Sequence, residues 1–200
     1  MKKVAVKKDR ACWRVLTRQV ECSEPHKAWD AAQELSDRNL KQTVGPLLQV
    51  MRSAKSAANR EAAAYALTWM YRRELIPDFA ECVADETQPE TVRGQAAEAL
   101  AYLGSYVRRN SRLFKLSEDT LLLNLTAASP VVRFWCCFAL GSMRSERAIK
   151  PLARLRRSDH IVCPGWWKVS EEAADALHHI RTGSWPEHTR ETTSLPQKTG

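Results

Sequence analysis

Residues 129–143 read SPVVRFWCCFALGSM, a serine and a proline ahead of an almost unbroken apolar run that holds Cys136 and Cys137 side by side. Taken alone, the run suits a metal or redox pair, a membrane segment, or the inside of a fold. Comparison with the rest of the chain decides among them. Residues 90–104, ETVRGQAAEALAYLG, have the same skeleton: a valine, an arginine, two small residues three and four places on, then Ala-Leu. Overlaying the two puts the cysteines on alanines, with Arg93, Ala96, Ala97, Ala99 and Leu100 matching Arg133, Cys136, Cys137, Ala139 and Leu140. The pattern recurs at Arg60, Ala63, Ala64, Ala66 and Leu67, more loosely at Val169, Ala173, Ala174, Ala176 and Leu177, and faintly at Ala31, Ala32 and Leu35.

The anchoring leucines are 35, 67, 100, 140 and 177, in steps of 32, 33, 40 and 37. Within a copy, apolar and small residues recur every three or four places, as Val132, Cys136, Leu140 and Met143 do, which marks one face of a helix. Free cysteine packs as a small hydrophobe. Cys136 and Cys137 are therefore expected as core residues where neighbouring helices approach closely.

A second helical pattern lies between the copies. TVGPLLQVM, LIPDFAECV and AIKPLARLR place Pro46, Pro77 and Pro151 just inside the start of an amphipathic run, where a missing N–H costs little. Each unit thus predicts a helical hairpin. LSEDTLLLNLTAAS supplies the matching helix before residue 129, with Ser117 as the expected cap. The segment SYVRRNSRLFK ahead of it inserts residues 105–115 and accounts for the step of 40.

The stretch SPVVRFWCCFALGSMRSERAIKPLARLRRSD resembles a HEAT-like repeat of the short bacterial type, whose motif runs Pro-x-Val-Arg, two small residues, Ala-Leu-Gly, a turn, and an Ala-Ile-x-Pro-Leu helix. The resemblance extends over residues 26–182 and is strongest around Leu100 and Leu140. Two departures stand out. Ser170 occupies the place of the motif arginine in the last copy, and the steps of 32 and 33 are short of the roughly 40–47 usual for such repeats. The resemblance implies an all-α protein, an α-solenoid of about five HEAT-like hairpins, in which Arg60, Arg93 and Arg133 are structural bridges between repeats. Three regions follow: a basic N-terminal arm over 1–25, the repeat domain over 26–182, and a disordered C-terminal tail over 183–200, rich in threonine, proline and polar residues.

Composition agrees with a globular chain, at 44% hydrophobic and 27% charged residues. No apolar run approaches the roughly 18 residues of a membrane span, and no apolar region follows the lysines of MKKVAVKKDR. A cytoplasmic protein that makes no membrane contact is expected. Its six cysteines form no CxxC and read as reduced thiols. Of the net charge of +8, six units fall in residues 1–18, so the body is nearly neutral.

The function of a solenoid lies on its surface, most often the concave one formed by the second helix of each hairpin. The overlay projects four positions per copy toward that face. They include Trp29 and Asp30 in the first copy, Tyr65 and Trp69 in the second, and Glu98 and Tyr102 in the third. The fourth adds Phe134, Trp135 and Phe138, and the fifth Glu172 and Asp175. Aromatic anchors beside carboxylates, with no lysine or arginine among them, suit a basic or amphipathic segment of another protein. The expected role is a noncatalytic protein-binding module, an adaptor, scaffold or regulatory subunit, with no cofactor and no metal. An open alternative is that residues 105–115 fold back over Phe134, Trp135 and Phe138 and make them core.

Cations of the body gather elsewhere, at Arg72, Arg73, Arg108, Arg109, Arg112, Lys115, Arg144, Arg147, Arg156 and Arg157. This ridge and the N-terminal arm are the places where nucleic acid could bind. Alkylpurine DNA glycosylases also use HEAT-like repeats and set an aspartate beside tryptophans, which makes a glycosylase-like role the alternative function. It needs a basic inner face, which the projected row lacks. Phycobilin lyases carry similar repeats too, and fold analogy does not choose among users of one scaffold. His160, Cys163, His178 and His179 are a weak zinc candidate, since adjacent histidines point to different helix faces. No P-loop, GxGxxG, GxSxG or HExxH occurs.

Overall fold

A computed structural model of the chain describes residues 13–187. Among these residues are ten helices. Helix α1 covers 13–22, and it is followed by α2 (Pro25–Arg38), α3 (Val44–Ser53), α4 (Ala57–Thr68), α5 (Ile76–Ala84) and α6 (Glu90–Ser105). Then come α7 (Arg112–Asn124), α8 (Pro130–Ser142), α9 (Ile149–Ser158) and α10 (Val169–Thr182). They form five antiparallel hairpins. The second helices pack side by side along the whole row, α2 on α4, α4 on α6, α6 on α8 and α8 on α10, whereas among the first helices only α5 and α7 pack comparably. The array therefore closes on the side of its second helices, and that side is the concave one.

Four of the five second helices are followed by a left-handed residue. Asn39 and Gly183 cap α2 and α10 with φ of 45° and 82°, and Tyr71 and Arg144, with φ of 51° each, lie just past the ends of α4 and α8 in the turn to the next first helix. The third hairpin departs because α6 runs on to Ser105 and residues 106–111 carry the insertion. Those residues do not cover the aromatic row. Ser111 caps α7 by accepting from the Phe114 N–H at 3.1 Å, so Arg112–Lys115 are its first turn and Phe114 enters the core. The cap expected at Ser117 is thereby corrected: Ser117 lies buried within α7 and donates to the Leu113 carbonyl at 3.1 Å.

All five anchoring leucines are buried, and Cys136 and Cys137 are fully so. Burial pushes the Cys136 thiol up to about 12, and Cys137 is also raised well above its ordinary value. Such thiols are neither thiolate nucleophiles nor ready metal ligands at neutral pH. In a chain carrying Cys12→Ser, we expect a thiol reagent at pH 8 to modify the exposed Cys22 at once. Cys82, Cys136, Cys137 and Cys163, all buried, should follow only at the rate of unfolding. Immediate reaction of more than one thiol contradicts this assignment.

The motif arginines stitch one hairpin to the next. From each second helix, the guanidinium donates to a carbonyl at the end of its own first helix: Arg60 to Ala54 at 2.5 Å, Arg93 to Val83 at 2.9 Å, Arg133 to Ala127 at 2.7 Å. It also reaches a side chain beyond its own hairpin, Gln88, Asn124 and Asp159 respectively. In the last copy, where Ser170 replaces the arginine, the Ser170 N–H donates to the Asp159 carbonyl at 2.8 Å.

Glycines set how closely the second helices approach. A Cβ at Gly141 would lie 2.9 Å from the Ala176 backbone, which cannot yield locally, while one at Gly104 would meet only the flexible Met143 side chain. Gly141→Ala should cost about 1–3 kcal/mol, and Gly104→Ala much less. Urea unfolding of the two variants makes the comparison, and equal losses would contradict it.

The ends differ from expectation. Residues 13–22, assigned to the arm, are helical and bury Leu16 and Val20 against the array. Pro25 opens α2, so the packed region begins by residue 13 rather than 26. Lys2, Lys3, Lys7, Lys8 and Arg10 lie outside the described residues, as does the tail after Glu187. Gly183–Glu187, assigned to the tail, are placed against the array through Trp185. Among the described residues no helix is long and apolar enough to cross a membrane.

Candidate binding groove

Every tryptophan except Trp13 sits on or beside the concave face. The rings form a near-continuous chain: Trp29 lies 5.0 Å from Tyr65, Tyr65 6.1 Å from Trp69, Trp69 5.0 Å from Tyr102, and Tyr102 6.3 Å from Phe138. Phe138 continues to Trp135 at 5.6 Å. Helical spacing accounts for two links, Tyr65 with Trp69 and Trp135 with Phe138, four and three residues apart on one face, and the other links join neighbouring second helices.

Two additional elements close the row at its C-terminal end. The loop after α9 folds into a small turn, with the Cys163 N–H donating to Trp167 O at 3.0 Å and the Val169 N–H to Ile161 O at 3.0 Å. It lays Trp166 5.2 Å from Trp135 and Trp167 5.6 Å from Phe134. Beyond α10, Trp185 stacks on Phe138 at 5.3 Å and on His179 at 4.5 Å, both at 17°. His179 Nδ1 is 2.9 Å from Gly141 O, which fixes the ring that Trp185 covers.

This covering corrects part of the expected row. Phe134 is 1% exposed, Glu172 2% and Asp175 6%, so they form the floor and wall of the groove rather than its open surface. Glu172 accepts from Trp167 Nε1 at 3.0 Å. Trp29, Tyr65, Trp69, Glu98, Tyr102, Trp135 and Phe138 are half-buried and Asp30 is exposed. Trp166 and Trp167 from the loop pack on Phe134, Trp167 also on Glu172, and Trp185 from the C-terminal segment packs on Phe138.

Two adjoining cavities of about 390 and 430 Å³ open on this face. Trp29, Tyr65 and Trp135 contribute to the first, with Glu61, Glu90 and Glu98. Tyr102, Trp135, Phe138 and Trp185 contribute to the second, with Glu98, Glu172 and Asp175. Among the described residues, no lysine or arginine lines either one. The zinc candidates are not brought together, and among the described residues no group of three or more His, Cys, Asp or Glu is arranged to hold a metal. His160 Nδ1 instead lies 3.3 Å from Ser170 Oγ.

Residues 14–101 match the family model for HEAT repeats. That stretch carries HEAT repeats. No curated protein matches it in sequence. Among solved structures it is similar to a chain of the complex of CpcE and CpcF of phycocyanin lyase from Nostoc sp. PCC7120, at 16% identity and a TM-score of 0.67, over 86% of this chain and 99% of that one. At that identity the likeness is one of fold, an all-α solenoid. The matched stretch begins in α1 and ends within α6, so the family signal is carried by the N-terminal repeats, although the quoted motif looks strongest at Leu100 and Leu140.

Two carboxylates of the groove carry the mark of their surroundings. Burial raises Glu98 above the ordinary carboxylate range, opposed by the Gln95 amide at 2.7 Å and the Tyr102 hydroxyl at 3.5 Å. Burial likewise raises Glu61. Next to Glu98, Tyr102 is pushed up to about 12, first by burial and then by the carboxylate. A raised carboxylate means the folded protein holds its proton more tightly than the unfolded chain. These groups therefore make stability rise as pH falls from neutrality toward 4.5, the ordinary value. Glu98→Gln should raise the thermal midpoint at pH 7 by about 1–3 °C and gain less between pH 7 and 5 than the parent. A lowered midpoint at pH 7 would contradict the burial cost.

Proposed function

We propose that this chain is a noncatalytic protein-binding module, an adaptor, scaffold or regulatory subunit, whose concave groove takes a basic or amphipathic segment of another protein. One observation carries the proposal: two adjoining cavities have aromatic floors and several carboxylates in their walls. Aromatic side chains supply large contact area with little rotamer entropy to lose. Carboxylates steer and register a cationic partner. The CpcE and CpcF of the similar structure form a complex with each other, which is a precedent for a protein partner on this fold.

A glycosylase-like role would need cations inside the groove to hold phosphates, and the lining residues offer carboxylates instead. The ridge arginines are partly engaged within the protein. Arg147 pairs with Glu118 at 2.7 Å and Asp119 at 2.6 Å, and Arg72 donates to Asn39 Oδ1 at 3.0 Å. Affinity capture from a native lysate, with and without nuclease, separates the two functions. A protein partner that stays bound after nuclease treatment supports the module. Retention that disappears with the nucleic acid overturns it.

A further inference from the structure

The groove is partly filled by its own chain. Gly183 takes φ of 82° after α10, and the Thr182 hydroxyl accepts from the Ser184 N–H at 3.2 Å, a turn that brings Trp185 and Pro186 into the wall of the second cavity, of about 430 Å³. The indole lies at 17° to both Phe138 and His179, with centroids 5.3 and 4.5 Å away. A Cβ at Gly141 would come within 2.9 Å of its Cη2, so the ring has its place only because residue 141 is glycine. Among the described residues, no hydrogen bond joins residues 185–187 to the array, and ring stacking is their principal tie.

We propose that Trp185 is a built-in occupant of the groove, standing in for an aromatic side chain of the partner, and that the partner's segment binds by displacing it. This rests on the protein-binding role above and deepens it, naming an aromatic anchor as the feature the partner presents. The receptor for that anchor is pre-formed. Phe138 rides on α8 and His179 on α10, two helices packed against each other, and the contact of His179 Nδ1 with Gly141 O at 2.9 Å sets the imidazole plane without help from the indole. Its shape suits a flat ring, because two near-parallel faces stand beside a position that lacks a side chain. The present occupant is held loosely, since a short segment beyond the last helix, tied by stacking, opens at far lower cost than a helix of the array. A tethered side chain still competes at an effective concentration of about 1 mM. It therefore excludes weak ligands and yields to a segment that offers a ring together with further contacts along Tyr102 and Trp69, the next rings of the row.

The probe is a fluorescein-labelled peptide of residues 183–200, titrated by anisotropy against the full chain and against a chain that stops at Gly183, which keeps the left-handed cap of α10. The shortened chain should bind the peptide with a Kd of about 0.1 mM or below. Against that affinity a tether worth about 1 mM leaves the groove open about a tenth of the time, so the full chain should bind at least about tenfold more weakly. Peptides carrying Trp185→Tyr and Trp185→Leu separate stacking from plain apolar burial: the tyrosine peptide should keep most of the affinity, and the leucine peptide should lose about fivefold or more. Trp185→Ala in the full chain should bind the peptide as the shortened chain does, which decides the matter should truncation impair folding. A photoreactive residue in place of Tyr102 of the shortened chain should trap the peptide, and one in place of the outward-facing Leu123 should not. Equal binding by the full chain and both altered chains, no binding by any of them, or a leucine peptide as tight as the parent overturns the proposal and leaves Trp185 a structural cap. None of these results touches the protein-binding role, which stands or falls on the capture experiment.

Discussion

Arg133→Met should cost this protein about 3–5 kcal/mol, the expected loss when one member of a buried ion pair is removed. Arg133 donates to Asp159 through Nε at 2.6 Å and Nη2 at 3.2 Å, with side-chain exposures of 11% and 7%. Its remaining Nη1 donates to the carbonyls of Ala127 and Ala128 at 2.7 and 2.8 Å. Methionine fills much of the space but strands the Asp159 carboxylate and two carbonyls. The matching changes should be graded by what they strand. Arg93→Met leaves the neutral Asn124, and Arg60→Met leaves the half-buried Gln88, so both should cost less. Adding Asp159→Leu to Arg133→Met should restore a large part of the loss, because the isolated charge is then gone. Urea unfolding of the four proteins makes the test. A loss below about 1 kcal/mol for Arg133→Met would show that the pair contributes little to joining the last two hairpins.

The second large effect concerns binding. Tyr102→Ala and Trp166→Ala should each weaken partner binding by about 1–4 kcal/mol, the range of aromatic anchors at the centre of an interface. Tyr102 is half-buried on α6, and Trp166 is more than a third exposed on its loop, so truncation removes contact area without opening the core. Trp135 is a poorer probe. It rests on Gly94, where a Cβ would come within 2.7 Å of its ring, and it is hemmed in by Phe134, Phe138 and Trp166, so its removal also costs stability. Glu98→Lys should act chiefly on the association rate and its salt dependence. Undiminished binding by both aromatic variants would move the interface off this face.

The contrast between Tyr102 and Trp135 shows what the chain discloses before it is folded. Leu35, Leu67, Leu100, Leu140 and Leu177 could be found by overlay because each repeat must bury the same face against its neighbours, and that demand recurs at a fixed period. The same periodicity placed Glu98, Tyr102 and Phe138 toward one face. It could not show that Phe134, Glu172 and Asp175 would be roofed over, since the roof belongs to no repeat. Trp166 and Trp167 sit in a loop without periodicity, and Trp185 follows the glycine that ends α10. Their one visible signal was composition: three tryptophans within twenty residues in otherwise polar connections. Ser117 failed as a cap for a related reason. The insertion lengthened α7 backward, and Ser111 was the serine in front of the new first turn.

The central claim, that the concave groove is the binding face, is tested most directly by photo-crosslinking in a native lysate. A photoreactive residue would replace Tyr102, inside the groove, or Leu123, which is 76% exposed on the outer helix α7. The groove position should yield a discrete protein adduct that survives nuclease, and the outer position should yield none. Adducts from Leu123 alone, or adducts to nucleic acid from Tyr102, would contradict the account.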